Sequence, residues 1–174
     1  MALLLIRANG SIGEALVKRL IAQGDQVRVI EPFPEVVDVW QQEGAYVVKG
    51  DPTDHSLVAQ AAHGARTVVV MDDEAGDPRD IIASVIRGAR QAKVDRLVLF
   101  GWNPAAPVVD AVTGSGQDHV VLLAGKRKLL GKSLREEVLA EAIDAADDIA
   151  GHPRLVLDLR EPGAWATLNL TQPS

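Results

Sequence analysis

A glycine-bearing turn lies near the start of the chain, between an apolar strand pattern and a helix pattern. Residues 3–6 are Leu, Leu, Leu and Ile, and Gly10 and Gly13 follow shortly after them. Glycines let the backbone approach a phosphate group closely, and the N-terminus of the next helix supplies free N–H groups and a partial positive charge. The pattern predicts a turn that holds the pyrophosphate of a dinucleotide, with candidate residues Arg7, Ala8, Asn9, Gly10, Ser11, Ile12 and Gly13.

Arg7 stands where a glycine is expected. In the spacing G-x-x-G-x-x-G, Gly10 and Gly13 are the second and third glycines, and Arg7 takes the first position. Two interpretations are open: the side chain blocks or displaces a bound cofactor, or the guanidinium folds over and pairs with a phosphate. Whether the site is functional depends on which of them holds.

Acidic residues follow the second and third strand patterns. Glu31 ends the second strand about 20 residues after the glycine turn, where a carboxylate can accept hydrogen bonds from ribose hydroxyls. It favours NAD(H) over NADP(H), because a 2′-phosphate would face a carboxylate. Asp51, followed by Pro52, comes after the third strand and is a candidate acceptor for the adenine amino group. Asp54 is expected mainly to cap the helix that begins near His55.

Composition limits the classes of function. A chain of 174 residues fits one domain, since domains commonly run to roughly 150 residues. The formal net charge of −6 makes nucleic acid an unfavourable partner. The absence of cysteine removes thiol nucleophiles and thiolate metal sites, and the four histidines show no paired metal-ligand spacing. No metal site is expected.

Two further features concern the surroundings of the protein. No apolar stretch approaches the roughly 18 residues of a membrane span, so a cytoplasmic protein without a membrane partner is expected. Residues 126–128 and Lys132 form the one concentrated basic run. A solvated loop is the ordinary interpretation of such a run, and a phosphate-contacting loop is the alternative.

Apolar, β-branched runs alternate with helix-period segments along the whole chain, which predicts an α/β fold. The arrangement expected is a three-layer, Rossmann-like, doubly wound and mostly parallel sheet formed by residues 1–160. Residues 161–174 carry Pro162, Gly163 and Pro173, and we expect them to form an irregular C-terminal tail. The predicted strands cover 2–7, 26–31, 45–49, 66–71, 96–100, 119–123 and 154–159, and the predicted helices cover 11–23, 34–43, 55–63, 79–92, 105–113 and 134–148.

Three segments, residues 7–13, 47–54 and 88–99, together resemble the atypical short-chain dehydrogenases/reductases, in particular the NmrA-like and small NAD(P)H-binding members. The resemblance covers roughly residues 2–123. It implies a dinucleotide bound across the edge of the sheet by residues 8–13, Glu31, Asp51 and the end of the fourth strand at Met71 and Asp72.

The resemblance supplies no catalytic set. Active members carry a Ser or Thr after the fifth strand, and a Tyr with a Lys four residues later on the next helix. Here Gly101, Trp102 and Asn103 follow the fifth strand, and Tyr46 is the only tyrosine. The catalytic residues therefore remain unknown.

Three functions stay open at this point. The first is a dinucleotide-binding regulator, sensor or accessory protein, and the second is an NAD(P)-dependent oxidoreductase or isomerase with an unconventional active site. The third is an interaction module that has lost its cofactor. The amphipathic helices over 79–92 and 134–148 resemble the dimer-forming helices of the wider family, so a homo-oligomer is also expected.

Overall fold

Seven strands alternate with seven helices in the residues that the computed structural model describes, which are 1–72, 79–125 and 135–173. The strands are β1 (Ala2–Ile6), β2 (Gln26–Glu31), β3 (Tyr46–Lys49), β4 (Thr67–Asp72), β5 (Arg96–Gly101), β6 (Asp118–Leu123) and β7 (Arg154–Asp158). The helices are α1 (Ser11–Ala22), α2 (Pro34–Gln42), α3 (His55–Ala61), α4 (Arg79–Gln91), α5 (Ala106–Thr113), α6 (Glu136–Asp148) and α7 (Pro162–Thr167).

The strands form one sheet in the order β3-β2-β1-β4-β5-β6-β7, and every pairing is parallel. The carboxyl ends of all strands consequently lie along one edge, which we call the carboxyl rim. The strand order reverses direction between β1 and β4, and doubly wound folds bind their ligands at such a reversal. The α/β fold class expected from the sequence is confirmed.

Two apolar cores lie on opposite faces of the sheet. One contains Leu16 and Leu20 of α1, Trp40 of α2 and Ile143 of α6. The other contains side chains of α3, α4 and α5, among them Val58, which a Cβ on Gly88 of α4 would approach to 2.7 Å. The molecule therefore has three layers, with the sheet between two layers of helices, and the layer that includes α1 and α2 borders the glycine turn.

The ends of the elements fall within one or two residues of the sequence predictions. Helix α1 stops at Gly24, which has a φ of +88° that a residue with a Cβ adopts only at a cost. The N–H of Asp25 then bonds the carbonyl of Leu20 at 3.0 Å, and this bond closes the last turn. β1 ends at Ile6, so Arg7 lies outside the strand in which it was predicted.

The prediction of an irregular tail from residue 161 is wrong, because this segment contains α7. Pro162 occupies the first turn of the helix, where a missing N–H costs nothing. Trp165 is buried in the same core as α1 and α6, and its indole N–H donates to the carbonyl of Leu159 at 2.8 Å. Burial of this aromatic side chain outweighs the weak helix preference of the sequence around it.

Some predictions fall outside the described residues. These are the basic run at 126–128 with Lys132 and the first residue of the helix predicted from 134. In the described ranges, no helix is long and apolar enough to cross a membrane.

Candidate functional site

The turn between β1 and α1 keeps the backbone shape of a glycine turn, although its first residue is arginine. Arg7 has a φ of 60°, in the left-handed region that favours glycine. The N–H of Gly10 bonds the carbonyl of Ala8 at 2.9 Å. The chain therefore makes the turn that the missing glycine would make, and the arginine side chain is accommodated with backbone strain.

Gly13 allows α1 to lie directly against this turn. A Cβ at Gly13 would stand 2.0 Å from the carbonyl oxygen of Ala8 and 2.6 Å from its carbonyl carbon. Neither atom can move away, because Ala8 is buried and part of the turn. This close contact between helix and turn is the role that the last glycine has in dinucleotide-binding turns.

The N-terminus of α1 points to the carboxyl rim. Its N-cap, Gly10, supplies no side-chain cap, and the first helical bond runs from the N–H of Glu14 to the carbonyl of Gly10 at 2.9 Å. The hydroxyl of Ser11 donates to a carboxylate oxygen of Glu136 at 3.3 Å, which places the start of α6 beside the start of α1. Backbone N–H groups in the first turn of a helix are free to bind an anion.

Glu31 lies at the end of β2, as predicted, but its side chain is directed into the protein. It is 2% exposed, and one carboxylate oxygen accepts from the N–H of Phe33 at 2.9 Å. The other oxygen accepts from the indole N–H of Trp40 at 3.3 Å. The same indole N–H also donates to the side-chain oxygen of Asn9 at 3.2 Å.

Trp40 is the residue of this region that sequence reasoning missed. The sequence placed it only within the helix predicted over 34–43, and the structure shows that it joins the glycine turn to the end of β2. A buried indole N–H needs an acceptor, and this requirement was the available signal. The acceptors lie on separate elements, so the sequence could not identify them.

The loop after β3 carries Asp51 and Pro52 at the same rim. Asp51 accepts from the N–H of Thr53 at 2.8 Å, which fixes the loop, and Pro52 is buried. Asp54 caps α3 by accepting from the N–H groups of Ser56 at 2.8 Å and Leu57 at 3.4 Å. The capping role predicted for Asp54 is confirmed, and a contact of Asp51 with adenine stays a prediction.

β4 ends beside β1 and β5 with Met71 and Asp72. Met71 is fully buried in the core, and Asp72 is half-buried and opposite Gly101 in the register. The side chain of Met71 belongs to the core, so its contribution to a site at the rim would come from its backbone. The rim between β1 and β4 thus combines the glycine turn with the half-buried Asp72.

Two aromatic residues, Trp102 and Tyr46, lie at opposite edges of the sheet. Trp102 follows β5 at the rim and packs edge-on against Phe100, with 6.1 Å between ring centroids. Tyr46 begins β3, at the opposite edge of the sheet, and is 69% exposed. A groove of about 750 Å³ lies beside Tyr46, Arg28 and Gln26, away from the glycine turn. The only tyrosine therefore lies at the wrong end of its strand to act at the rim.

Charged groups with altered proton affinity lie away from the glycine turn. Burial lowers the pKa of Arg96. Burial also tends to lower the pKa of Arg66, but the hydrogen bond and charge of Asp147 raise it overall. At the end of β7, the hydrogen bond from Arg160 lowers the pKa of Asp158. None of these three groups borders the turn, and in the described part of the chain no cluster of three acidic or histidine side chains could hold a metal ion.

A parallel, doubly wound sheet with a glycine turn at its reversal point defines a Rossmann-type nucleotide-binding protein. The kind of nucleotide follows from the sequence, because residues 8–106 match the model of a family described as NAD(P)H-binding. The chain belongs to this NAD(P)H-binding family and carries an NAD(P)H-binding Rossmann domain. The resemblance to atypical short-chain dehydrogenases/reductases is thereby confirmed.

Solved structures with the same fold include reductases and an NAD⁺ complex. The anaerobilin reductase ChuY from Escherichia coli O157:H7 is 17% identical with a TM-score of 0.75, and the match covers 91% of this chain and 96% of that one. WbmH of Bordetella bronchiseptica in complex with NAD⁺ is 18% identical (TM-score 0.69; 90% and 74% covered). A Citrobacter sp. triphenylmethane reductase complexed with NADP(H) is 16% identical (TM-score 0.71; 90% and 69% covered). Curated protein sequences give no significant match.

Proposed function

We propose that this protein binds a nicotinamide dinucleotide across the carboxyl rim, with the pyrophosphate over residues 7–13. The observation that carries the proposal is the contact of Gly13 with Ala8, where even a methyl group would collide with backbone. Such a close approach, combined with an N-terminus of α1 that has no side-chain cap, suits a bound pyrophosphate. Asp51 and Pro52 would lie beside the adenine, and Met71 and Asp72 would lie beside the middle of the cofactor.

NAD(H) is the proposed form of the cofactor. Glu31 ends β2, where the ribose of the adenosine half lies in this fold. The Glu31 carboxylate is held by hydrogen bonds from Phe33 and Trp40. The negative charge of this carboxylate beside the ribose disfavours the 2′-phosphate of NADP(H). The discrimination proposed here acts mainly through charge, because the side chain is 2% exposed.

We propose a regulatory, sensing or accessory role in preference to tyrosine-dependent hydride transfer. Tyr46 starts β3 at the edge opposite the rim, so it cannot donate a proton to a substrate beside the nicotinamide. Gly101, Trp102 and Asn103 occupy the region where related enzymes place a hydroxyl residue. In a regulatory or sensing role, the protein would respond to whether NAD(H) is bound at the site.

A reductase is the second candidate, and one observation favours it. The match to the reductase ChuY covers nearly all of both chains, so a protein with this fold over nearly its whole length can be a reductase. Hydride transfer to an acceptor that needs no tyrosine acid would suit the rim. Oxidation of NADH in the presence of quinones or triphenylmethane dyes would establish this candidate, and no turnover with bound NADH would favour the regulatory role.

The location of the site is tested by following backbone amide resonances during titration with NADH. Amides of Ala8, Gly10 and Ser11 are expected to shift early in the titration. Amides of Tyr46 and His63, beside the groove at the opposite edge, should stay in place. Shifts confined to the opposite edge would refute binding at the rim.

A homo-oligomer remains a proposal. Helix α6 buries seven of its residues within the chain, and α4 lies between α3 and α5, so an interface would use their remaining outer surfaces. A solution mass equal to that of one chain would refute it.

A further inference from the structure

Trp40 connects two parts of the proposed dinucleotide site that are remote in sequence. Its side chain is 2% exposed, and its single indole N–H lies 3.2 Å from the amide oxygen of Asn9 and 3.3 Å from a carboxylate oxygen of Glu31. Asn9 belongs to the glycine turn, and Glu31 ends the neighbouring strand. One donor is therefore shared between the pyrophosphate side and the ribose side of the rim.

The shared donor makes the two acceptors dependent on each other. Both contacts are longer than the 2.8 Å bond that the indole of Trp165 makes to its one acceptor, the carbonyl of Leu159. A proton divided between two acceptors moves closer to one when the other withdraws. Displacement of Asn9 would strengthen the hold on Glu31, and displacement of Glu31 would strengthen the hold on Asn9.

Glu31 is anchored at its second oxygen as well. That oxygen accepts from the N–H of Phe33 at 2.9 Å, immediately before the start of α2, the helix that carries Trp40. The carboxylate, the entry to α2 and the indole consequently form one closed set of contacts. A buried set of this kind has few alternative arrangements, because each polar atom would lose its partner in any of them.

We propose that Trp40 is a positioning residue that couples the pyrophosphate turn to the ribose end of the site, so that Asn9 and Glu31 contribute to dinucleotide affinity as one unit. The inference rests on the proposed dinucleotide site and deepens it. Trp40 itself touches no cofactor atom in this account. It holds Asn9 and Glu31, and replacing its N–H uncouples them.

The first test is a pair of matched substitutions. Trp40→Phe removes the shared N–H and keeps an aromatic ring, and we expect it to weaken NADH binding roughly tenfold, as loss of a hydrogen bond to a charged group would. Trp165→Phe removes the other buried indole N–H described above and should change the affinity less than about twofold. Equal losses in the two variants would overturn the proposal, since they would reflect general destabilisation.

The second test is a double-mutant cycle with Asn9→Ala and Glu31→Gln. In the unmodified background, the loss of NADH affinity in the double variant should differ from the product of the single losses by roughly threefold or more. In the Trp40→Phe background, the single losses should multiply. Simple multiplication already in the unmodified background would overturn the coupling.

A third readout needs neither a bound dinucleotide nor a folded Trp40→Phe variant. In the free protein, Asn9→Ala and Glu31→Gln should each shift the indole N–H resonance of Trp40 and leave that of Trp165 unchanged. An unmoved Trp40 resonance would overturn the shared bond even if NADH binds well. If the unmodified chain binds no dinucleotide while the resonance responds, the proposed function and the coupling role fail together, and only the hydrogen bonds remain.

Discussion

At the scale of single residues, Arg7 at the first position of the glycine turn determines whether the site can hold a dinucleotide. The sequence left two interpretations of Arg7, a block or a clamp, and the left-handed φ of 60° adds a third aspect. The turn keeps its shape with a residue that has a Cβ, at a cost of about 1 kcal/mol in backbone strain. Sequence reasoning placed Arg7 at the first position of the turn. It could not predict the left-handed φ of this residue, because glycine and not arginine is the residue type that commonly adopts it.

Arg7→Gly should relieve this strain and, if the side chain blocks the proposed phosphate site, raise NADH affinity severalfold, because the turn is kept and the side chain is removed. Lys93→Gly is the matched control, since Lys93 has a φ of 57° after α4, away from the site. Both variants should gain up to about 1 kcal/mol in the free energy of unfolding, measured with urea. An affinity that falls in Arg7→Gly would show that the guanidinium is a clamp.

At the scale of elements, alternation of strand and helix patterns was sufficient to predict the seven strands and six of the helices. Parallel strands buried on both faces have continuous apolar runs, as Leu3–Ile6 does, and such runs are visible without a structure. Helix α7 was not predicted because Pro162 and Gly163 suggest a loop, and because burial of Trp165 depends on distant residues. The contacts of Trp40 were missed because its acceptors, Asn9 and Glu31, also lie on other elements of the fold.

Gly13→Ala should destabilise the junction of β1 and α1 by at least about 2 kcal/mol and abolish dinucleotide binding. The added methyl group would meet the carbonyl of Ala8 at 2.0 Å, so the helix must shift away from the turn. Gly163→Ala in α7 is the control, because a Cβ there meets nothing within 4 Å. Urea unfolding and NADH titration measure both effects, and a Gly13→Ala protein that binds NADH normally would contradict the account.

The end of α6 is tied to the amino-terminal edge of the sheet by Asp147. This carboxylate, 5% exposed, accepts from the guanidinium of Arg66 and the hydroxyl of Thr67. Asp147→Ala leaves a partly buried arginine without this partner and should cost about 3–5 kcal/mol. Asp148→Ala removes the adjacent carboxylate, which contacts the same arginine but is 71% exposed, and should cost less than about 1 kcal/mol. Thermal or urea unfolding that gives equal losses would refute this assignment.

At the scale of the whole molecule, the sheet brings together residues that lie far apart in the sequence. The strand order places the ends of β2, β1 and β4 side by side, so the glycine turn, Glu31 and Asp72 share one rim. The sequence predicted a parallel sheet, in which all carboxyl ends lie at one edge, and the resemblance to the short-chain dehydrogenases/reductases implied which of these ends share the site. The strand order itself was not predicted. The sequence did not predict that Glu31 would be directed inward, since side-chain direction at a strand end depends on the partners available there.

The most direct test of the central claim is calorimetric titration of the unmodified protein with NAD⁺, NADH, NADP⁺ and NADPH. We expect binding of the nicotinamide dinucleotides, with NAD(H) preferred over NADP(H) because of the charge of Glu31 at the end of β2. A preference for NADP(H) would contradict the role given to Glu31. Absence of binding of all four at millimolar concentration would contradict the proposed function and leave the third alternative, an interaction module that has lost its cofactor.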